Sequence, residues 1–368
     1  MNPEIAAPVG PGISTRASPR MLLKAFVRAA IGAAAAILAA NFIADRAHRF
    51  DDEINPVLGS VPAAAKFAWD HLEGDGRGYW TSNGVRRATY PAPSEGAPIL
   101  LVGNSYTEAM QVTDEQHYGH LLEQELRRAG KSIPVLPFGR SGYSVADYIA
   151  QAQNIQALFH PKWVVIQVDR RDFEDRAWTK MDSSVARFTR SDQAGDIKVV
   201  PQSTPTRTRN SLLRRFSQRF PELFPYHFIY GRILEFTLWV RNERPWFHVL
   251  AKPVSASSMT RPDSSYPLDR EVALLAEAYH HRLTLLYLPR FDPRNPAAPA
   301  ADETTIRELA QKNGLRFVSL GASFAQIARS GESPFGFDNT EFNAGHWNRY
   351  GHAAAAQLLA ADLLNMGL

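Results

Sequence analysis

Ser105 lies in Gly103-Asn104-Ser105-Tyr106-Thr107, directly after the apolar run Pro98–Val102, and His346 lies in Asn343-Ala344-Gly345-His346-Trp347-Asn348. A serine hydroxyl is a weak nucleophile until an imidazole accepts its proton. The oxyanion that forms on attack at a carbonyl then needs fixed hydrogen-bond donors. Gly139-Arg140-Ser141-Gly142-Tyr143-Ser144 offers a backbone amide at Gly142, where the missing Cβ permits close approach. Together these residue types suit acyl-ester chemistry. The chain has no cysteine, which excludes thiolate nucleophiles, Cys-ligated zinc, iron–sulfur clusters and disulfides. His117 and His120, with Glu123, lack a third ligand for zinc.

Regular elements must carry these residues to one place. Short apolar runs predict strands at Pro98–Val102, Ile133–Phe138, Trp163–Val168, Leu283–Leu288 and Arg316–Leu320. Helices alternate with them over Asp114–Ala129, Ser144–Phe159, Leu268–His281, Glu303–Asn313 and about Tyr350–Met366. Gly130 stops the first helix, and Ser144 caps the second with Asp147 in its first turn. Five βα units imply a three-layer α/β/α sandwich around a parallel sheet. Ligands of such sheets sit beyond the carboxyl ends of the strands. Ser105 follows the first strand, Gly142 the second, Asp169-Arg170-Arg171-Asp172 the third, Arg290 and Asp292 the fourth, and His346 comes after the fifth.

The 368 residues, 45% hydrophobic and 21% charged, exclude a mostly disordered, collagenous or polytopic membrane chain. Residues 1–20 read as a disordered cytoplasmic tail and 46–95 as a linker and N-terminal extension; 96–368 form the α/β domain. Between them, 21–45 reads as a transmembrane signal anchor: an uncharged run from Ala29 to Ala44 has Arg16, Arg20, Lys24 and Arg28 before it and Asp45 and Asp51 after it. That asymmetry keeps the N-terminus cytoplasmic at the inner membrane and the body periplasmic; a cleaved signal peptide and a soluble amphipathic helix are the alternatives. The first 44 residues carry +3 of the formal +4, so the basic charge reports the leader, and no nucleic-acid partner is expected. An insertion at about 173–265 holds Arg207, Arg209, Arg214, Arg215 and Arg219, then Phe220, Phe224, Tyr226 and further aromatics. It reads as helical, either packing on the body or presenting a basic-aromatic surface.

Three blocks in this order resemble the SGNH (GDSL-type) hydrolase superfamily. Gly103-Asn104-Ser105 resembles its Gly-Asp-Ser block, Gly142 in Ser-Gly-Tyr-Ser its glycine block, and His346-Trp347-Asn348 through Leu359 its histidine block. The His-Trp-Asn start is similar to that of envelope-linked and alginate-acetylation-type members. The resemblance spans roughly 98–365 without the insertion. It implies a five-stranded parallel sheet of flavodoxin-like order, Ser105 as nucleophile, His346 as general base, the Ser105 and Gly142 amides as oxyanion donors, and neither metal nor cofactor.

Three positions depart from the pattern. Asn104 replaces the first block's Asp. Arg171 stands before Asp172 where the third block has an oxyanion Asn, so it is an oxyanion candidate or a salt-bridge partner of Asp169 or Asp172. Asn343 and Ala344 stand where an Asp usually precedes the histidine; Asn343, Asp338, Glu341 or no residue completes the triad. Asn104, Tyr106 and Arg290 are candidate substrate contacts, and His352 is a packing residue. The resemblance implies hydrolysis or transfer of an O-acyl group, acetyl first, through acyl-Ser105. The expected substrate is an acylated carbohydrate or other ester, of envelope or secreted polysaccharide, with a membrane acyl-donor protein as partner. A non-catalytic glycan-binding or scaffold protein and an interfacial lipid esterase are the other readings.

Overall fold

A computed structural model describes residues 19–46, 52–92 (without 56, 63, 65 and 70–72), 96–173, 186–190, 197–201, 267–289, 301–338 and 345–368. Helix α1 (Pro19–Arg46) precedes two antiparallel hairpins, β1 (Asp52–Asn55) with β2 (Gly59–Pro62) and β3 (Lys66–Ala68) with β4 (Arg77–Tyr79). The α/β alternation follows: β5 (Ile99–Gly103), α2 (Ser105–Glu108), α3 (Tyr118–Arg128), β6 (Val135–Gly139), α4 (Val145–Phe159) and β7 (Trp163–Asp169). After the antiparallel pair β8 (Ala186–Arg190) and β9 (Ile197–Pro201) come α5 (Leu268–Ala278), β10 (Leu283–Leu288), α6 (Ala301–Lys312), β11 (Arg316–Ser319), α7 (Gly321–Arg329) and α8 (Arg349–Asn365).

Five strands form one parallel sheet in the order β11-β10-β7-β5-β6. β5 and β6 are buried at every residue, as a strand covered on both faces must be. Their alternation divides the core in two. Leu100 and Val102 face the layer of α4, α5 and α6, while Ile99 and Leu101 face that of α3, α7 and α8. The strand order reverses between β5 and β7, so their carboxyl ends part and leave the crevice in which open α/β sheets bind ligands. Ser105 follows one of these strands and Arg171 the other.

The expected strands and the sandwich are present, with two differences in the elements around them. The helix expected from Asp114 opens as a 3-10 turn at Asp114–Gln116, and α3 starts only at Tyr118, because the Nδ1 of His117 accepts the Gly119 amide at 2.9 Å and caps a new helix. Within the 173–265 insertion, expected to be helical, residues 186–190 and 197–201 are the strands β8 and β9, and the basic-aromatic segment from Arg207 to Trp239 lies outside the described residues. Asp147 ties the strands down: one oxygen accepts the Ser144 amide at 2.8 Å and the other the Ala186 amide at 2.9 Å. Among the described residues no helix is long and apolar enough to cross a membrane. The apolar part of α1 is largely alanine, which adds little transfer energy, and Lys24 and Arg28 lie in the turns before it.

Residues 52–92 are built into the body. Leu58, Val61 and Val85 are fully buried members of the α4-side core, and the Arg86 amide bonds Pro137 O of β6 at 2.9 Å. The Arg86 side chain is entirely buried. It donates to Asp114 Oδ1 at 2.8 Å, Glu108 O at 3.0 Å, Val112 O at 2.5 Å and the Ala109 carbonyl, and its guanidinium lies 4.9 Å from the centre of the Phe67 ring. It therefore gathers the carbonyls left open where α2 ends at Ala109, whose φ is +49°. Removing one partner of a buried ion pair strands the other. Arg86→Ala should lower unfolding free energy by about 3–5 kcal/mol, read from urea titrations, and Asp114→Ala should lower it as well, because it leaves the fully buried Arg86 charge without its carboxylate.

Candidate active site

The turn from β5 into α2 leaves little freedom at Ser105. A Cβ on Gly103 would lie 2.0 Å from Thr107 Oγ1, so only glycine lets α2 fold back this tightly. Asn104 caps α2 by accepting the Tyr106 amide at 3.0 Å. Its Nδ2 donates to both oxygens of Asp172 at 3.0 Å, and Asp172 also accepts the Asp169 amide at 2.8 Å. Asn104 thus joins the ends of β5 and β7 and is buried; both ends of its side chain are engaged within the protein, which corrects its expected role as a substrate contact. An Asp here would set two carboxylates against each other, which explains the departure at this position. Ser105 is half-buried, and its hydroxyl has no hydrogen-bond partner among the described residues.

Gly142 sits at the third position of a turn closed by the Tyr143 amide on Arg140 O at 3.1 Å, with φ +84°. That is the left-handed position of a type II turn, which favours glycine. Tyr106 is buried with its ring centre 5.2 Å from that of His346 and 5.1 Å from that of Trp347. Its hydroxyl meets Arg171. Burial pushes this phenol up, against the opposing pull of the Arg171 charge. The Arg171 guanidinium is paired with Asp169 at 2.6 Å, which holds its pKa above the usual value. Of the two sequence alternatives for Arg171, the Asp169 salt bridge is the one formed. Arg290 and Asp292 lie outside the described residues.

The histidine block is a mounting for one ring. Trp347 is fully buried among Tyr106, Tyr118, Phe324 and His352. Asn348 caps α8 through the Tyr350 amide at 2.9 Å and donates to Ser333 O at 2.7 Å and Gly336 O at 3.0 Å. A Cβ on Gly351 would lie 2.6 Å from Pro334 O. His346 is left half-exposed between these anchors.

The residue on its far nitrogen comes from the N-terminal extension. His346 Nδ1 is 2.7 Å from Glu73 Oε2, and the His346 backbone N–H donates to Glu73 Oε1. A carboxylate only accepts, so the ring proton resides on Nδ1 and Nε2 presents its lone pair, with no partner among the described residues. Burial pushes the Glu73 carboxyl up, but the hydrogen bonds and charge of His346 outweigh it and hold the group below its usual value. Gly345 makes room: its φ is +87°, and a Cβ there would lie 2.1 Å from Glu73 Oε1.

Among the described residues it is Glu73 that occupies the place for which the sequence offered Asn343, Asp338 and Glu341. Asp338 is exposed and does not touch the ring, and Asn343 and Glu341 lie outside the described residues. Glu73 left one trace in the sequence, the close-set glycines after it. Any Cβ at Gly74 or Gly76 would collide with the backbone of residues 110–112, at 2.4 Å from Gln111 O and 2.1 Å from Met110 O. Backbone packed this closely fixes the Glu73 carboxylate in place. The arrangement can take a proton at Nε2 and stabilise the resulting imidazolium with a buried-edge carboxylate.

No family model matches the chain, and no curated protein matches it. Among solved structures it is similar to LAE5, an alpha/beta hydrolase enzyme from the metagenome of Lake Arreo, Spain (16% identity, 73% of this chain and 97% of that one, TM-score 0.39). It is similar also to TesA (12%, 73% and 99%, 0.39). A third is a catalytic mutant of Axe2, an acetylxylan esterase from Geobacillus stearothermophilus (14%, 73% and 94%, 0.38).

Beneath the site, His117, His120 and His352 cluster around Arg86. The His117 ring centre lies 5.4 Å from that of His352 and 5.9 Å from that of His120. His117 donates from Nε2 to Thr107 O at 2.8 Å, and His352 Nδ1 accepts the Tyr118 amide at 3.3 Å, so both serve backbone as neutral rings. Burial, followed by the Arg86 charge, holds both well below the usual imidazole value; burial also lowers His120, with Asp114 opposing it. The unfolded chain therefore binds protons that the folded chain refuses. The stability these groups confer is complete above the unfolded value of about 6.5 and is lost as pH falls below it. Melting temperature should drop between pH 7.5 and 5.5. His352→Asn, which keeps an acceptor for the Tyr118 amide, should flatten that slope.

Proposed function

We propose that the chain is a serine ester hydrolase or O-acyltransferase working through an acyl-Ser105 intermediate, with His346 as general base and acid and Glu73 as the third member of the triad. The observation that carries this reading is the Glu73 carboxylate on His346 Nδ1, which leaves Nε2 to receive a proton beside the residue that follows Ser105. Ser105 Oγ attacks the ester carbonyl carbon while its proton passes to His346 Nε2. The tetrahedral oxyanion takes hydrogen bonds from the Ser105 and Gly142 amides. Collapse breaks the bond to the alcohol oxygen, which leaves with the proton from His346. Water, or a sugar hydroxyl in a transferase, then gives its proton to His346 and attacks the acyl carbon, and the acyl–Oγ bond breaks as His346 passes that proton to Ser105 Oγ.

Arg171, neutralised by Asp169 and joined to the Tyr106 hydroxyl, steadies Tyr106 against the imidazole in this scheme. An acylated carbohydrate is the substrate class to test first, since acetyl esters of sugar hydroxyls need only this chemistry.

The wild-type protein should hydrolyse p-nitrophenyl acetate, and a fluorophosphonate should label Ser105. Ser105→Ala should abolish both. Glu73→Gln should lower kcat about 10³–10⁴-fold while leaving the fold intact by circular dichroism. Turnover only with an added sugar acceptor would identify a transferase. Absence of labelling in folded wild-type protein would point to the non-catalytic binding role instead.

A further inference from the structure

We propose that Glu108 is the positioning residue of the oxyanion loop, holding the Ser141–Gly142 peptide at a fixed distance from Ser105; this rests on the esterase reading above. Glu108 is the last residue of α2, and only 5% of it is exposed. A buried carboxylate persists only where donors meet it. Ser141 supplies two of them: Oε2 accepts the Ser141 amide at 3.0 Å and also bonds the Ser141 hydroxyl. Ser141 and Gly142 are the two central residues of the turn that presents the Gly142 amide.

Two further contacts make this a rigid linkage. A Cβ on Gly139 would lie 1.9 Å from Glu108 N and 2.3 Å from Thr107 C, so the end of β6 touches α2 backbone to backbone. On its other side Glu108 is held by Arg86, whose Nη1 donates to Glu108 O at 3.0 Å. Helix α2 is a single turn, with Ser105 first and Glu108 last. The nucleophile and the carboxylate that grips the oxyanion loop are thus ends of one short rigid piece. Their relative placement sets the gap between the Ser105 and Gly142 amides. Donors must already be placed where the oxyanion will form. An error there costs transition-state binding and leaves the ground-state ester indifferent.

The test compares wild type, Ser141→Ala and Glu108→Gln in kcat and KM for p-nitrophenyl acetate, and in affinity for a phenylboronic acid as tetrahedral mimic. Ser141→Ala removes one of the two bonds from Ser141 and leaves the Ser141 amide on the Glu108 carboxylate. Its kcat should fall about 3–10-fold, and that of Glu108→Gln about 10–100-fold. KM should stay within about twofold, and boronate affinity should weaken in step with kcat. Thermal melts establish that each variant is folded. An active wild type with kcat and boronate affinity unchanged in folded Ser141→Ala and Glu108→Gln overturns this assignment alone. An inactive wild type, unlabelled at Ser105, overturns the esterase reading and this assignment with it.

Discussion

One carboxylate accepting two hydrogen bonds from one histidine fixes that histidine twice. Glu73 grips the His346 backbone N–H with one oxygen and Nδ1 with the other, so both ring rotation and backbone position are set by a single side chain. The same contact fixes the tautomer, since an ionised carboxylate has no proton to give. Gly345 and Gly74 exist in the left-handed region around this contact, and the loop after Glu73 presses on residues 110–112 without room for a Cβ. The backbone was shaped to the carboxylate on both sides.

The other half of the site rests on a second principle, backbone against backbone. Gly103 and Gly139 let α2 settle onto the carboxyl ends of β5 and β6, and Asn104 ties β5 to β7 through Asp172. The three strand ends around the switch point are therefore joined by contacts that side chains larger than hydrogen would break. The buried Arg86 closes the far end of α2 by taking up its last carbonyls. Rigidity at Ser105 comes from these short connections; the four-residue helix supplies little of its own.

The sheet was legible because each of its strands reads as an apolar run. Strands buried on both faces cannot be mistaken for surface, and Leu283–Leu288 has the same limits in sequence and structure. The Ser144–Asp147 cap was legible for a different reason, a local pairing of residue types three apart. The extension was illegible because strands of three or four residues are too short to establish a period. Glu73 was illegible because its partner is distant in sequence. A search for the acid near His346 finds Asn343, Asp338 and Glu341, and nothing local says that the carboxylate arrives from elsewhere. Arg171 was half legible: charge alone allowed a salt bridge to Asp169 or to Asp172, and the structure forms the one to Asp169.

The Glu73–His346 pair spans 273 positions along the chain. Contacts of such separation close a large loop and form only once both ends exist. During synthesis the carboxylate emerges early and waits exposed, while the ring arrives only when the last strand and most of the last helix's approach have been made. In the proposed esterase, a nascent chain would thus hold Ser105 on its turn with no oriented imidazole beside it. In that reading, reactivity toward esters would begin only once the segment around His346 has joined the sheet and met Glu73.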